Sequence, residues 1–474
     1  MSLALHPTSR SFKANASAAL KNETLQRAMG HLGFTQKRLE AVARLPEFEA
    51  LRDQARDIKN HTLAHLDFYL EHYEEKVRAS GGQVHWCRTP AEARQIILNI
   101  CRSVDAKSIT KGKTMVAEEI ALNDFLEENG VAPVETDLGE YIIQLRDEPP
   151  SHIIAPAIHV TKEQVAETFL EKHAAYGKTK LLHEPREMLE EARGILREKF
   201  LRADVGLTGA NFLISETGSS IIVTNEGNGD LTQLLPRVHI VLATPEKIVP
   251  TLEDVSTILR LLARSATGQE FSVYTTVSTG PKRPGDIDGP EQYHVVILDN
   301  GRTAMLGTAF QDMLRCIRCS ACLNHCPVYN AVGGHAYGWV YPGPMGSVLT
   351  PGLIGVDQAG QLPNASTFCG KCESVCPMKI PLPKMMRHWR EREYQQRLSP
   401  AVARWALAAW AFAVTRPRLY RFMTAIAARM LGLWGRRHGN MHNLPLAGGW
   451  TQFRDFPAPE GRTFHQRWAE RAKP

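Results

Sequence analysis

The chain has 474 residues, 43% of them hydrophobic and 22% charged, with 35 Gly and 28 Pro; this is enough for two to four folded domains and excludes a disordered or fibrous chain. The formal charge of +6 is unevenly placed, because Lys384–Pro474 holds 17 basic and 5 acidic residues and so carries +12 against −6 for residues 1–383. Met1–Leu20 lacks the basic start and apolar core of a secretory signal, and no run reaches the ~18–20 apolar residues of a spanning helix, so the expected location is cytoplasmic.

In chain order, Ala16–Met29 and Gln36–Arg78 set apolar residues such as Leu63, Leu66, Leu70 and Tyr73 at helical spacing. Residues 1–80 are therefore expected to form two or more amphipathic helices. From Gln95 the pattern alternates. Ala106–Thr110, Val131–Glu135, Ile153–Ala157, Phe212–Ser215, Ser220–Thr224, His239–Ala243, Phe271–Val277 and Tyr293–Leu298 read as strands, and Met115–Asn129, Lys162–Ala175 and Thr251–Ser265 as helices. Residues 81–302 thus predict an α/β domain with a partly parallel sheet. No G-x-G-x-x-G follows a strand and no G-x-x-x-x-G-K-[ST] occurs; Gly206–Gly209 and Gly227–Gly229 read as turns, so nothing argues for a bound nicotinamide, flavin or nucleotide.

Polar residues gather at the expected strand ends, where α/β domains place their sites. They are Lys111, Lys113, Glu118 and Glu119, then Glu135, Asp137, Glu140 and Tyr141, then Ser151, His152 and His159, with Ser215–Gly218 and Asn225–Asn228 as a further pair. Turn, cap and sheet-edge roles account for them equally well. His239, between Val238 and Ile240, reads as a core histidine, and Cys87 and Cys101 as buried, inert thiols.

The other seven cysteines crowd together. Cys316-Ile-Arg-Cys319-Ser-Ala-Cys322-Leu-Asn-His-Cys326-Pro327 is the C-x2-C-x2-C-x3-C-P run of cubane iron–sulfur proteins, whereas zinc sites use separated ligand pairs. Three thiolates two residues apart wrap three corners of a cube, and the fourth cysteine reaches the other cluster. In register with it stands Ser366-Thr-Phe-Cys369-Gly-Lys-Cys372-Glu-Ser-Val-Cys376-Pro377, with serine at the first ligand position. Crossed ligation assigns Cys316, Cys319, Cys322 and Cys376 to one [4Fe–4S] cluster and leaves Cys326, Cys369 and Cys372 for a second. That second centre has either a non-cysteine fourth ligand or three irons; Ser366 fits a ligand or a helix cap. Residues 303–398, including the helix Leu382–Arg397, read as a two-cluster, α-helical ferredoxin module that relays electrons.

Residues 399–474 form a basic amphipathic extension. Ala401–Val414 is apolar but too short to span a bilayer, and Leu419, Phe422, Met423, Ile426 and Met430 recur at helical spacing among Arg416, Arg418, Arg421 and Arg429. Such a face packs on the ferredoxin module, covers a partner, or rests peripherally on the inner face of a membrane. No helix-turn-helix or basic groove points to nucleic acid.

Together these residues resemble the lactate utilization protein B family, iron–sulfur subunits of a three-component system that oxidises L-lactate to pyruvate. The resemblance runs over nearly the whole chain and is most specific at Glu135–Gln144, Pro150–His159, Gly206–Gly218, Gly333–Pro344 and both cysteine groups. It implies a lactate-utilisation α/β domain related in fold to CoA transferases and ribose-phosphate isomerases, and the same seven cysteine ligands. It also implies two partner subunits, a cysteine-rich protein of the heterodisulfide-reductase type and a smaller protein with the same α/β domain. Substrate chemistry is then expected on a partner. A different reading takes Ser215-Glu216-Thr217-Gly218 as the glutamate loop of a CoA transferase, making the α/β domain a thioester-binding enzyme or sensor.

Overall fold

A computed structural model describes residues 6–30, 33–435, 439–444, 447–451 and 454–471; residues 1–5 of the Met1–Leu20 segment fall outside them. The chain divides into two compact units, Met1–Glu393 and Tyr394–Pro474.

In the first unit ten strands follow one another: β1 (Gln83–Cys87), β2 (Ser108–Lys111), β3 (Ala132–Glu135), β4 (Val205–Gly209), β5 (Phe212–Ile214), β6 (Ser219–Thr224), β7 (Val238–Ala243), β8 (Ile248–Val249), β9 (Tyr274–Ser278) and β10 (Gln292–Leu298). Six of them make a wholly parallel sheet in the order β1-β10-β7-β4-β2-β3. The other four form a second sheet, β8-β5-β6-β9, in which only the β5–β8 pair is parallel. A parallel sheet is buried on both faces. On one face Ile97, Leu98 and Cys101 of the helix Pro90–Ser103 pack with Ile109, Leu207 and Ile240; on the other Leu66, Leu70, Tyr73 and Val77 of the helix Leu66–Ala79 meet Val241, Val295 and Ile297.

A third core joins parts far apart in sequence. Phe48 and Leu51 of the helix Phe48–Ala64, Ile214 and Leu261 beside the second sheet, and Cys319, Tyr337, Met345 and Trp389 of the cysteine region belong to one buried cluster. The segment between the two cysteine motifs supplies much of it. Its helix Gly343–Ile354 is buried from Gly343 to Pro351, and a Cβ at Gly346 would fall 1.7 Å from the Tyr341 carbonyl oxygen.

Four sequence expectations are corrected. Gly206–Gly209 is the strand β4, not a turn: the helix Asn228–Leu234 lies so close that a Cβ on Gly206 would meet the Thr232 carbonyl oxygen at 1.8 Å, and glycine serves approach rather than bending. Gly227 precedes that helix and Gly229 lies within it. Ile153–Ala157 is not a strand, because the His152 ring accepts the Ile154 and Ala155 N–H groups and Ser151 N–H bonds the Pro156 carbonyl, tying the segment into a compact turn. Met115–Asn129 is two helices, Met115–Glu119 and Leu122–Glu128, broken at Ala121 with φ +48°. The strand β1 and the helix Pro185–Leu201, unread in the sequence, complete the α/β layer.

In the second unit the helices Ala401–Val414 and Pro417–Gly435 contact one another, followed by a two-residue ribbon, Asn440–Met441 with Phe456–Pro457, and the helix Phe464–Arg471. Trp405, Trp410, Phe422 and Met430 are exposed. Among the described residues no helix is long and apolar enough to cross a membrane.

Candidate metal centre

The two cysteine motifs repeat a backbone as well as a spacing. Arg318 and Ser320, on either side of Cys319, have φ of +58° and +61°, and Phe368 and Gly370, on either side of Cys369, have +54° and +76°. A short helix follows each, Ala321–Asn324 and Lys371–Ser374. Left-handed residues among right-handed ones turn successive N–H groups to one side, which makes a concavity suited to anionic sulfur. Three of these four residues are not glycine, and such strain persists only where the surroundings hold it.

Cys316, Cys319, Cys322 and Cys376 line one enclosed cavity with Met345, Ile380 and Leu382. Cys326 interacts instead with Cys369, and both raise the pKa of Cys372. Burial and then the neighbouring thiols push Cys322 well above its ordinary value, and burial lifts Cys376 to about 11 and Cys372 to about 12. Backbone N–H groups oppose this at several sulfurs: those of Val328 and Tyr329 at Cys326, of Glu373 at Cys372, and of Ile380 at Cys376, where N and Sγ are 3.5 Å apart. The exposed Cys369 alone is lowered, by the Lys371 N–H and the Thr367 hydroxyl. Thiols buried together hold their protons unless a cationic core replaces them, so soft donors, N–H groups aimed at sulfur and enclosure fit an iron–sulfur cluster. Ser366 does not cap a helix: its Oγ accepts the Phe368 N–H at 3.1 Å, closing a local turn.

The N-terminal helices hold the second motif from outside. Arg52 donates from Nε and Nη2 to the Cys376 carbonyl at 3.0 and 2.6 Å and from Nη2 to that of Ser374 at 3.0 Å, while Arg38 donates to the Val375 carbonyl at 3.0 Å. The first motif is held from the α/β side. Glu119, buried, takes a two-point ion pair from Arg302 at 2.9 and 2.5 Å and hydrogen bonds from Asn300 and Tyr341, both at 2.7 Å. Glu246 lies 3.4 Å from Arg302 and 3.3 Å from Arg318, and the Arg318 guanidinium stands over the Tyr341 ring. Burial opposes ionisation of both carboxylates, yet the arginines keep each below its usual pKa. Of these groups sequence reading singled out Glu119 alone. Lone arginines in unremarkable contexts carry no local signal.

The polar residues at the strand ends do not form one site. Lys111 Nζ, at the end of β2, is 2.5 Å from Glu135 Oε1, 2.6 Å from Asn123 Oδ1 and 3.4 Å from Glu118. Burial favours the neutral amine there, but Glu135 and Glu118 hold the ammonium above its ordinary pKa. Burial first, then Glu135 and Asp137, push the Glu140 carboxyl well up. Tyr141 joins His173 at 3.1 Å in a separate core.

The Ser151–His159 segment docks on the cysteine region. The His152 Nδ1 accepts two N–H groups, so Nε2 carries the proton and donates to Asn324 Oδ1 at 2.9 Å; burial lowers this ring to about 4. Tyr329 donates to the Ser151 carbonyl at 2.8 Å, and His159 pairs with Glu148 at 2.8 Å. His239 is buried with Nε2 2.8 Å from Thr208 Oγ1, and burial raises Cys87 to about 11 and Cys101 to about 12. Glu216 is exposed on the β5–β6 turn, its N–H bonded to the Pro250 carbonyl.

Residues 70–298 match the LUD domain, 312–380 a 4Fe-4S dicluster domain, and 383–473 the C-terminal region of lactate utilisation protein B. Lactate utilization protein B of Oceanobacillus iheyensis is 42% identical over 98% of this chain and 97% of its own. The chain belongs to the lactate utilization protein B family. The Bacillus subtilis member is 42% identical over 97% of this chain and 96% of its own, and that of Anoxybacillus flavithermus 44% over 90% of each. A solved structure of a duf162 family protein from Deinococcus radiodurans is 17% identical over 49% of this chain and 98% of its own, with a TM-score of 0.28, a slight likeness. Two [4Fe–4S] clusters are the cofactors of the dicluster domain, and the seven cysteines above are the donor set that fits them.

Proposed function

We propose that the chain is the electron-transfer subunit of a multi-protein complex that oxidises L-lactate to pyruvate. Cys316, Cys319, Cys322 and Cys376 hold one cluster, and Cys326, Cys369 and Cys372 hold the other with a non-cysteine fourth ligand. Each cluster, when bound, takes and gives one electron at a time. The observation that carries this reading is the exchange of cysteines between the motifs: Cys376 lines the cavity of Cys316, Cys319 and Cys322, while Cys326 interacts with Cys369. Interleaved ligands force two clusters into close range, which suits a relay better than two isolated structural staples. The chain's own residues exclude water from the first cluster, through Met345, Ile380 and Leu382, and Arg52 holds the backbone of its ligand Cys376 through that residue's carbonyl.

The partners the reading calls for are the cysteine-rich, heterodisulfide-reductase-type subunit and the small α/β subunit. In the tail, exposed Trp405, Phe422 and Met430 near Arg418, Arg421 and Arg429 support peripheral contact with an anionic membrane surface. Anaerobically purified protein should contain two cubane clusters that interact magnetically on reduction. The single chain should not oxidise lactate, whereas the reassembled complex should. Lactate turnover by the single chain with an artificial acceptor would overturn the assignment. Binding to anionic vesicles should weaken with salt, and again when Arg418, Arg421 and Arg429 become Gln; attachment unaffected by either rejects the tail's role.

A further inference from the structure

Between the two cysteine motifs the chain makes a tight 3-10 turn, His335–Tyr337, that is gripped from two directions. On one side the Thr8 N–H bonds the Gly338 carbonyl at 2.8 Å, Ser9 Oγ donates to the Tyr337 carbonyl at 2.9 Å, and the Phe12 ring lies 5.2 Å from that of Tyr337. Gly338, with φ +69°, sits so near that a Cβ would fall 2.5 Å from the Thr8 carbonyl carbon. On the other side a Cβ at Gly334 would overlap the Ser151 carbonyl oxygen, and His335 Nε2 donates to the Pro149 carbonyl at 2.7 Å. No side chain fits at either glycine, so the backbone that carries Tyr337 is fixed in place.

Tyr337 is fully buried, and its hydroxyl has no partner among the described residues. Its neighbours of the same kind do have one. Tyr329, whose ring centroid is 6.3 Å away, donates to the Ser151 carbonyl at 2.8 Å, and Tyr341 donates to Glu119 at 2.7 Å. Buried tyrosines usually find such a partner, because the lost hydration of the O–H is otherwise uncompensated. Packing does not ask for the oxygen, since phenylalanine fills the same space.

What stands near that hydroxyl is sulfur. Tyr337 shares one buried cluster with Cys326 and Cys372. Burial first, and then Cys326, Tyr329, Cys322 and Cys372, raise its pKa well above the ordinary value. Cys326 and Cys372 belong to the second donor set and Cys322 to the first, so the phenol lies where the two sets meet. A phenol carries its proton at neutral pH and is a donor, and thiolates and cluster sulfides accept. Main-chain N–H groups of Val328 and Tyr329 already serve Cys326; the hydroxyl adds a donor from a side chain.

We propose that the Tyr337 hydroxyl donates a hydrogen bond to sulfur of the second cluster, on the side facing the first, and so sets that cluster's potential. The inference rests on the two-cluster reading above. A donor at sulfur favours the reduced state, which carries one more negative charge, and raises the potential. The proton stays on the phenol oxygen, and no bond is made or broken as an electron passes.

Tyr337→Phe in the full chain, purified anaerobically, deletes the donor and keeps the ring. Redox titration followed by electron paramagnetic resonance should show one potential falling, that of the cluster whose signal Cys369→Ala removes. The expected fall is about 59 mV, a tenfold change in the reduction equilibrium of a one-electron couple. Iron and sulfide should stay at the parent's content. Tyr329→Phe, whose hydroxyl is spent on the Ser151 carbonyl, should move neither potential. Equal potentials in the parent and Tyr337→Phe overturn the proposal, as does a matching shift in Tyr329→Phe, which assigns the change to repacking. Loss of one iron per chain in Tyr337→Phe also overturns it, because the oxygen is then a ligand. Should Tyr337→Phe fail to hold its clusters, the Tyr329→Phe chain decides, with its tyrosines carbon-13 labelled at the ring carbon that bears oxygen. Double-resonance spectra of its reduced second cluster should show a carbon coupling, and none rejects the contact. Two clusters in the parent alongside any of these negative results leave the relay reading standing; a parent without two clusters rejects that reading and the proposal with it.

Discussion

The two cysteine motifs share a spacing and a backbone yet stand in opposite surroundings. Around the first, Cys319 is buried, and Glu119, Glu246, Arg302 and Tyr341 converge on the adjoining Arg318 and its supports. Around the second, Cys369 is exposed, Ser366 occupies the place of the missing cysteine, and the holding contacts are main-chain carbonyls capped by Arg38 and Arg52. The same local chemistry is therefore braced by buried ion pairs in one case and opens to solvent at Cys369 in the other. A relay gains from that asymmetry, since burial and charge, not ligand identity alone, set a cluster's potential.

The largest expected effect separates the motifs directly. Cys322→Ala should remove the first cluster and unfold much of the Met1–Glu393 unit, because metal binding and folding are linked there. Cys369→Ala should cost iron at the second cluster while circular dichroism and the thermal transition stay close to those of the parent. Equal loss of structure in both variants would break the contrast.

Glu119→Gln comes next. It strips the charge from the partner of the buried Arg302 and should cost about 3–5 kcal/mol in denaturant unfolding. Only one cluster's electron paramagnetic resonance signal should move. A change in both signals would mean that the bracing is shared.

Acid offers a milder probe of the same docking. Burial holds His152 at about 4 in the folded chain against an ordinary 6.5. The unfolded chain thus binds the extra proton first, so stability is full above pH 6.5, falls by on the order of 3 kcal/mol as pH drops towards 4, and flattens below it. His152→Gln should flatten that part of the profile; an unchanged slope would place the acid sensitivity elsewhere.

The smallest effect belongs to Ser366→Ala. With only the Phe368 N–H to satisfy, the hydroxyl should be worth about 0.5–1.5 kcal/mol. Iron content should not change. Loss of one iron per chain would make Ser366 a ligand and the two motifs more alike than their surroundings indicate.

By itself the sequence determined what depends on neighbours in the chain. The cysteine spacing names the chemistry because cluster ligation is local, and the helices of the tail and the strands β2, β3, β6, β7 and β10 follow from periodicity. Tertiary structure decided the rest. Gly206 reads as a turn residue until the helix above it shows why no side chain fits, and Ile153–Ala157 reads as a strand until His152 claims its N–H groups. Glu119 and Arg302 are 183 positions apart, and Arg52 and Cys376 are 324. No window along the chain contains such pairs, and the burial that makes each contact strong exists only once the core has closed around them.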